Sequence, residues 1–310
     1  ERDVLSRKPA LVYLDFSAND DINSPRTETL GSYEALVRRL IESGAPVVQV
    51  IFPFKWNVVE ANMSGMVRRD AHLKIAEAYN TAVGDAIALC RDRVKSGQIT
   101  AERLWPYDGV HPGDEGYAAF GDAAWLAFEA AVAQKKACRI PEKMLHAETY
   151  MKSARVRISS LGNLPQGWRA SNPSLTSAAF DMLMSRWLDD VAIAGNRGGQ
   201  PVAPLRIRFN GSMVLLFGES TPKSPKYRVH LDGKLVERQV KDAKLPEFDA
   251  GELGLRMNGN SHHVQVIAEG LDPAVEHTMT LEPIFAADKE QELRLESICV
   301  AGREPKVKAD

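Results

Sequence analysis

The sequence lacks the features typical of membrane-spanning, disulfide-stabilised and nucleic-acid-binding proteins. It contains no apolar run of about 18 residues, so we expect no transmembrane helix. Its three cysteines are far apart and form no CxxC pair, which argues against a disulfide framework and against a structural zinc site. The 39 basic residues nearly balance the 41 acidic ones, so we expect no binding to nucleic acid.

The length and the change of pattern along the chain predict two domains. A chain of 310 residues with 44% hydrophobic residues is long enough to bury two separate cores. Strands and helices alternate in the first part, whereas short strands dominate the last part. We predict an α/β domain over residues 1–138, a mixed connecting region over 139–203, a β-sandwich over 204–303 and a tail over 304–310.

The α/β part begins with a strand, a helix and a second strand. Residues 10–16 and 46–53 are nearly uninterrupted apolar and β-branched runs, typical of strands buried on both faces. Between them, residues 32–43 have apolar positions at helical spacing, and Gly44 ends the helix. This order predicts a three-layer, doubly wound fold in which helices cover both faces of a parallel sheet.

Two longer helices are expected in the rest of this part. The apolar spacing predicts one helix over residues 69–95 and another over 115–134, with a loop over 99–113 between them. Asp114 is the expected N-cap of the second helix. Its expected buried face includes the aromatic residues Phe120, Trp125 and Phe128.

The last part of the chain has the pattern of an antiparallel β-protein. Residues 205–209 alternate apolar and basic side chains, and the dipeptide Asp232-Gly233 between two strand-like runs predicts a tight hairpin. Further strands are expected at 264–268, 277–282 and 293–300, and one helical stretch at 178–191. Short strands at this spacing favour a β-sandwich or a jelly roll.

The stretch Asp108-Gly-Val-His111-Pro112 is the strongest chemical signal in the sequence. A carboxylate and an imidazole three residues apart in a Gly- and Pro-bounded turn can form a hydrogen bond to the ring Nδ1–H. That bond sets the tautomer and leaves Nε2 to act as a general base. We therefore predict that Asp108 and His111 are catalytic.

A second signal lies where the first strand reaches its carboxyl end. The sequence there reads Ser17-Ala-Asn19-Asp20, and this edge of an open α/β sheet is where ligands bind. The carboxamide of Asn19 can donate a hydrogen bond to the oxyanion of a tetrahedral intermediate. Taken alone, Asn19 and Asp20 read more simply as residues that cap a turn.

Together, the two motifs resemble those of the SGNH or GDSL hydrolases over residues 8–134. In that family, a Gly-x-Asn-Asp motif after a strand supplies the oxyanion-hole Asn, and a late Asp-x-x-His-Pro turn supplies the base and its orienting carboxylate. Here residues 17–20 are similar to the first motif, with Ser in place of Gly, and residues 108–112 are similar to the second. The resemblance implies Asn19 in the oxyanion hole and Asp108 and His111 in a triad.

The nucleophile of this family has no counterpart at the expected place. The resemblance implies a Gly-Asp-Ser motif that precedes the Asn strand, whereas this sequence begins only a few residues before that strand. A doubly wound sheet rarely starts with its central strand, so we expect a separate N-terminal segment of the same product to carry the nucleophile. The nucleophile itself stays unknown from these residues.

Two serines inside the chain are weaker candidates. Gly218-Glu-Ser220 follows an apolar strand and imitates Gly-Asp-Ser, but two prolines and another strand follow it where a nucleophile turn needs a helix. Ser17 lies inside the oxyanion motif and more plausibly contributes backbone. We therefore read Ser220 as the end of a sandwich strand.

The remaining histidines predict no metal site. His262 and His263 are adjacent, so on a strand they point to opposite faces. His72 is expected on a polar helix face, and His146 and His277 have no partner at a useful spacing. Trp56, just after the second strand, is a candidate for a sugar- or acyl-binding surface, although a semi-buried structural tryptophan is the simpler interpretation.

The sequence thus favours a serine esterase that removes acetyl or short acyl groups, with an acylated carbohydrate or a small ester as its partner. The strand-rich part resembles the jelly-roll module that accompanies some carbohydrate esterases, which favours an O-deacetylase. Hydrolysis of this kind needs no cofactor. The alternative is an inactive carbohydrate-binding or assembly protein that retains a hydrolase-like domain. The compartment is open, and only the resemblance favours an extracellular or periplasmic location.

Overall fold

The chain folds into two compact units, Glu1–Glu148 and Thr149–Asp310. The structure is a computed structural model, and it describes residues 4–19, 27–59, 66–174, 188, 190–240 and 242–309. The first unit mixes helices with parallel strands, and the second consists mainly of antiparallel strands. This is the combination of fold classes that the sequence predicted.

A parallel sheet forms the centre of the first unit. Its strands are β1 (Val12–Leu14), β2 (Val47–Ile51) and β3 (Ala82–Asp85), in the order β1-β2-β3. Both pairings are parallel, and all five residues of β2 are buried. A strand buried on both faces must be covered by helices on both sides, which explains the unbroken apolar pattern of this segment.

Helices cover both faces of this sheet. One core contains side chains from β1, β2, α1 (Thr27–Glu42) and α3 (Val67–Tyr79). A second core contains side chains from α2 (Lys55–Val59), α4 (Ala86–Lys95), α5 (Ala101–Leu104) and α6 (Asp114–Ala133). The buried positions of α1 recur at helical spacing, which brings them to one side of the helix: Leu30, Tyr33, Val37 and Leu40. The predicted three-layer arrangement is confirmed.

The single helix predicted over residues 69–95 is wrong, because β3 separates α3 from α4. Asn80 ends α3 in the left-handed conformation, with φ of 49°, and Asp85 caps α4 by accepting a hydrogen bond from the Ala88 amide. Gly84 lets β3 approach α6, since a Cβ at that position would lie 2.7 Å from the Ala123 carbonyl oxygen. The strand has only four residues, so its residue pattern is too short to be distinguished in the sequence from the helical pattern on either side.

The details predicted for α6 also need correction. The N-cap is Gly113, without a side-chain cap, and Asp114 is the first residue of the helix. Phe120 is buried as expected, but Trp125 is 54% exposed and Phe128 is only half-buried. The apolar residues of α6 spread over a wider face of the helix than the part that packs against β2 and β3. Some of them therefore remain exposed.

Among its described residues, the second unit contains two six-stranded antiparallel sheets and a small hairpin. The strands are β4 Ser153–Arg157, β5 Trp168–Ser171, β6 Val191–Gly195, β7 Leu205–Asn210, β8 Met213–Ser220, β9 Lys226–Leu231, β10 Lys234–Leu235, β11 Arg238–Val240, β12 Ala243–Leu245, β13 Phe248–Asp249, β14 Ser261–Glu269, β15 His277–Ile284, β16 Glu292–Ala301 and β17 Lys306–Ala309. The first sheet has the order β10-β9-β15-β7-β17, with β13 paired to β9, and the second has the order β14-β8-β16-β6-β5, with β4 paired to β16. Strands β11 and β12 form the hairpin, and the unit also contains the short helix α7 (Glu252–Arg256).

One apolar core joins the two sheets into a β-sandwich. It contains Phe209 and Met279 from one sheet and Leu216 and Ile298 from the other. The alternation in β7 buries every second residue, as the sequence predicted. The hairpin at Asp232-Gly233 is also present, and both residues have positive φ, 51° and 77°, as a two-residue hairpin turn of the favoured hand requires.

The sandwich begins earlier and ends later in the chain than the sequence indicated. Strands β4, β5 and β6 fall within residues 139–203, which the sequence analysis treated as a connecting region, and β17 falls within the expected tail. Of the predicted helical stretch at 178–191, residues 178–187 and 189 lie outside the described residues, and Val191 begins β6. Within the described ranges, no helix is long and apolar enough to cross a membrane.

Candidate active site

The structure brings Asp108 and His111 into direct contact on the surface of the first unit. The Nδ1 atom of His111 lies 2.9 Å from Oδ2 of Asp108, the geometry of a hydrogen bond. The His111 side chain is 76% exposed and the Asp108 side chain 50% exposed. The bond assigns the proton to Nδ1, so Nε2 carries the free electron pair that a general base needs.

The same carboxylate also organises the backbone of the turn. Its Oδ1 atom accepts hydrogen bonds from the backbone amides of Val110 at 2.7 Å and His111 at 2.6 Å. The His111 amide, the His111 ring and the Val110 amide together lower the pKa of Asp108 to about 2, because each donor stabilises the charged carboxylate. Asp108 is therefore an anion throughout the neutral range and can stabilise an imidazolium.

We expect Asp108 to titrate with a midpoint at about pH 2. An ordinary aspartate titrates at about 3.9, so the folded pKa is depressed. The contribution of this group to the free energy of unfolding is then full above the ordinary value and is lost as the pH falls through the folded value. Carboxyl ¹³C NMR of the protein labelled at aspartate measures the midpoint, with assignment by the Asp108→Asn spectrum. A midpoint near 4 would contradict the hydrogen-bond network described above.

Close packing holds this turn in position. The Gly109 carbonyl oxygen accepts a hydrogen bond of 2.9 Å from the Lys55 amide at the start of α2. Gly116 leaves room on the other side, because a Cβ there would lie 2.5 Å from Pro112 Cβ and 2.6 Å from the Leu104 carbonyl oxygen. The Lys55 contact joins segments that are distant in sequence, and the only local signal for this packing was the pair of glycines at 109 and 116 around the motif.

The turn that contains Asn19 lies beyond the carboxyl end of strand β1. Residues Ser17–Asn19 form a single 3-10 turn shortly after β1, which ends at Leu14. The Ser17 hydroxyl accepts a hydrogen bond of 2.9 Å from the Phe52 amide, just beyond the end of β2. Because Lys55 in turn bonds the Asp108–His111 turn, both motifs attach to the segment that follows β2. The oxyanion role of Asn19 stays a prediction.

The two serines considered as substitute nucleophiles are both buried. Ser17 is fully buried, and its hydroxyl also lies 3.1 Å from Oδ1 of Asp15. Ser220 is the last residue of β8 in the second unit, where its hydroxyl accepts a hydrogen bond of 2.9 Å from the Gly254 amide. Each of these hydroxyls serves the local structure.

The other histidines have structural surroundings, some of which differ from the expectations. His72 is buried with its ring against Tyr33, rather than on a polar face. His146 and His277 do have partners, because their Nδ1 atoms lie 2.7 Å from Glu34 and 2.8 Å from Asp232. These partners are 112 and 45 residues away in sequence, so spacing within the sequence gave no signal for them.

Family models recognise this first unit. Residues 1–119 match the model described as the GDSL-like lipase/acylhydrolase family. Over these residues the chain is similar to that family. The match confirms the resemblance inferred from the sequence, and it covers the GDSL-like domain up to the first turns of α6. No curated protein matches the chain in sequence.

Solved structures resemble the GDSL-like domain and the sandwich together. A two-domain esterase active on acetylated mannans, co-crystallised with mannopentaose, is 18% identical, with a TM-score of 0.64 over 97% of this chain and 74% of that chain. A second crystal structure of a two-domain esterase active on acetylated mannans is also 18% identical, with a TM-score of 0.64 over 98% and 76% of the two chains. At this identity the likeness shows a shared fold.

Proposed function

We propose that the protein is a serine esterase that removes acetyl or short acyl groups from a carbohydrate. The observation that carries this proposal is the 2.9 Å contact between His111 Nδ1 and Asp108 Oδ2 in an exposed turn of a GDSL-like domain. Within the described residues, His111 Nε2 makes no hydrogen bond, so it is available to a hydroxyl and to substrate.

In the proposed reaction, Nε2 of His111 removes the proton from a serine hydroxyl as its oxygen attacks the ester carbonyl. The imidazolium then donates this proton to the sugar oxygen as the ester C–O bond breaks, which frees the sugar hydroxyl and leaves an acyl-enzyme. Water attacks the acyl-enzyme with His111 again as the base, which releases acetate and the serine. Asp108 orients the ring and stabilises its positive charge in both halves of the reaction.

Asn19 is the proposed oxyanion donor. Its turn begins shortly after β1, and the hydrogen bond from the Phe52 amide to the Ser17 hydroxyl connects this region to the segment after β2. A carboxamide donor at this place would contribute only as negative charge develops on the carbonyl oxygen, which is when stabilisation accelerates the reaction.

The carbohydrate part of the proposal rests on the fold as a whole. Both units resemble, at 18% identity, an esterase that acts on acetylated mannans. Acetylated mannan is therefore the first substrate to test on this protein. The burial of Ser17 and Ser220 is the observation that favours the alternative, a binding protein that has kept the domain without its activity.

Two measurements test the proposal together. We expect the protein to release acetate from acetylated mannan, followed by ¹H NMR, and to react with a fluorophosphonate probe at one serine. Mass mapping of the labelled peptide would identify the nucleophile. Heat-denatured protein is the control for non-specific labelling. Absence of both acetate release and labelling would reject the esterase and favour the binding protein.

A further inference from the structure

Trp56 forms a rigid aromatic surface beside the Asp108–His111 turn. Its indole stacks on Phe54 with 4.7 Å between ring centroids and 13° between planes. The Arg68 guanidinium lies over the Phe54 ring at 4.8 Å from the centroid, and Phe54 itself is buried. Phe54 therefore packs against both the Trp56 indole and the Arg68 guanidinium. Trp56, at the outer end of the stack, stays 39% exposed.

The backbone around Trp56 is held by hydrogen bonds on both sides. Asn57 Oδ1 accepts from the Phe54 amide at 2.9 Å, and the Asn57 carbonyl oxygen accepts from Arg91 at 2.9 Å. The Phe52 carbonyl oxygen accepts from Arg68 at 3.1 Å. A side chain on so constrained a backbone loses little further freedom when it binds a ligand, which favours binding.

The missing side chain of Gly109 lets the indole pack directly beside the turn. A Cβ at position 109 would lie 3.1 Å from Cζ3 and 3.3 Å from Cε3 of Trp56. A larger residue would therefore crowd this edge of the indole and push it away from the turn. Tyr107, on the other side of Asp108, is 87% exposed. Two exposed aromatic side chains thus flank the turn.

From this geometry we propose that Trp56 is a specificity-determining residue that binds a sugar ring of the substrate next to His111. The inference rests on the proposed function and names the part of the carbohydrate that is recognised. The apolar C–H face of a pyranose matches a flat indole, while the sugar hydroxyls stay in water. A long acyl chain would instead need an enclosed apolar groove, whereas this surface and the turn beside it are open.

The test combines sugar binding with a comparison of two substrates. Calorimetric titration with mannopentaose measures binding without any need for catalysis, and Trp56→Leu removes the aromatic face while keeping an apolar side chain on Phe54. We expect about a tenfold loss of affinity. The ratio of kcat/KM for an acetylated manno-oligosaccharide to that for p-nitrophenyl acetate should fall by about the same factor, through KM. Trp56→Phe should recover most of both losses.

Trp125→Leu is the matched control, because this exposed tryptophan lies on α6 outside the proposed surface, and it should change neither quantity. Equal binding by Trp56→Leu and the parent protein would overturn the proposal. Equal losses of kcat/KM on both substrates with intact binding would also overturn it, because Trp56 would then only hold the turn. In His111→Ala, mannopentaose binding should persist. Acetate release that survives in that variant would reject His111 as the base, and absence of acetate release by the parent protein would reject the esterase; either result would leave the sugar-binding result standing.

Discussion

Replacing His111 by alanine is expected to lower kcat for acetyl ester hydrolysis by about three orders of magnitude. In the proposed reaction, His111 accepts the serine proton and later donates it to the leaving sugar oxygen, so the variant loses both steps. A loss of this size corresponds to about 4 kcal/mol of transition-state stabilisation. Initial rates of acetate release at saturating substrate measure it. The side chain is exposed, so its removal should leave the free energy of unfolding nearly unchanged.

Two controls separate chemistry from structure in this experiment. His230→Ala removes another histidine near a carboxylate, since His230 Nδ1 lies 3.8 Å from Glu282 in the second unit, and it should leave kcat unchanged. Added imidazole should restore part of the activity of His111→Ala, because the exposed turn leaves space for a free base. A His111→Ala variant with more than a tenth of the parent kcat would show that His111 is not the base.

Replacing Glu34 by alanine is expected to destabilise the first unit by about 3–5 kcal/mol. The Glu34 side chain is completely buried. Its carboxylate accepts from the Tyr79 hydroxyl at 2.9 Å and from the backbone amides of Leu145 and His146 at 2.8 Å each. The His146 ring adds a contact of 2.7 Å. Each buried donor left without an acceptor costs about 1–3 kcal/mol, which makes this loss large.

Tyr79→Phe is the graded control for Glu34→Ala. It removes one donor and leaves the carboxylate with the contacts to residues 145 and 146, so a loss of about 1 kcal/mol is expected. Urea unfolding followed by far-UV circular dichroism measures both variants. If the two variants lost equal stability, the contacts to residues 145 and 146 would contribute little, and the buried carboxylate would not anchor the end of this unit.

Short-range patterns explain which parts of the site were predictable. Asp108 and His111 are three residues apart, so one turn suffices to bring them together, and the Asp232-Gly233 hairpin depends on the same few-residue geometry. The α/β pattern and the strand-rich pattern were equally local, and each followed from the period at which apolar residues recur. These features need no knowledge of the rest of the fold.

Contacts between distant segments were not predictable from the sequence. Glu34 and His146 are 112 residues apart, and nothing near either residue indicates the other. The strand β3 was missed because its four residues continue a helical pattern, and only its pairing with β2 distinguishes it. The exposure of Trp125 likewise depends on how much of α6 the sheet covers.

The sequence by itself therefore determined the two fold classes, the family resemblance and the contact between Asp108 and His111. The tertiary structure alone decided the burial of Ser17 and Ser220, the network around Glu34 and the open indole of Trp56 beside Gly109. The physical reason is the distance along the chain over which each effect acts. Periodicity and turn geometry act within a few residues, whereas burial and side-chain partners are set by segments that meet only when the whole domain packs.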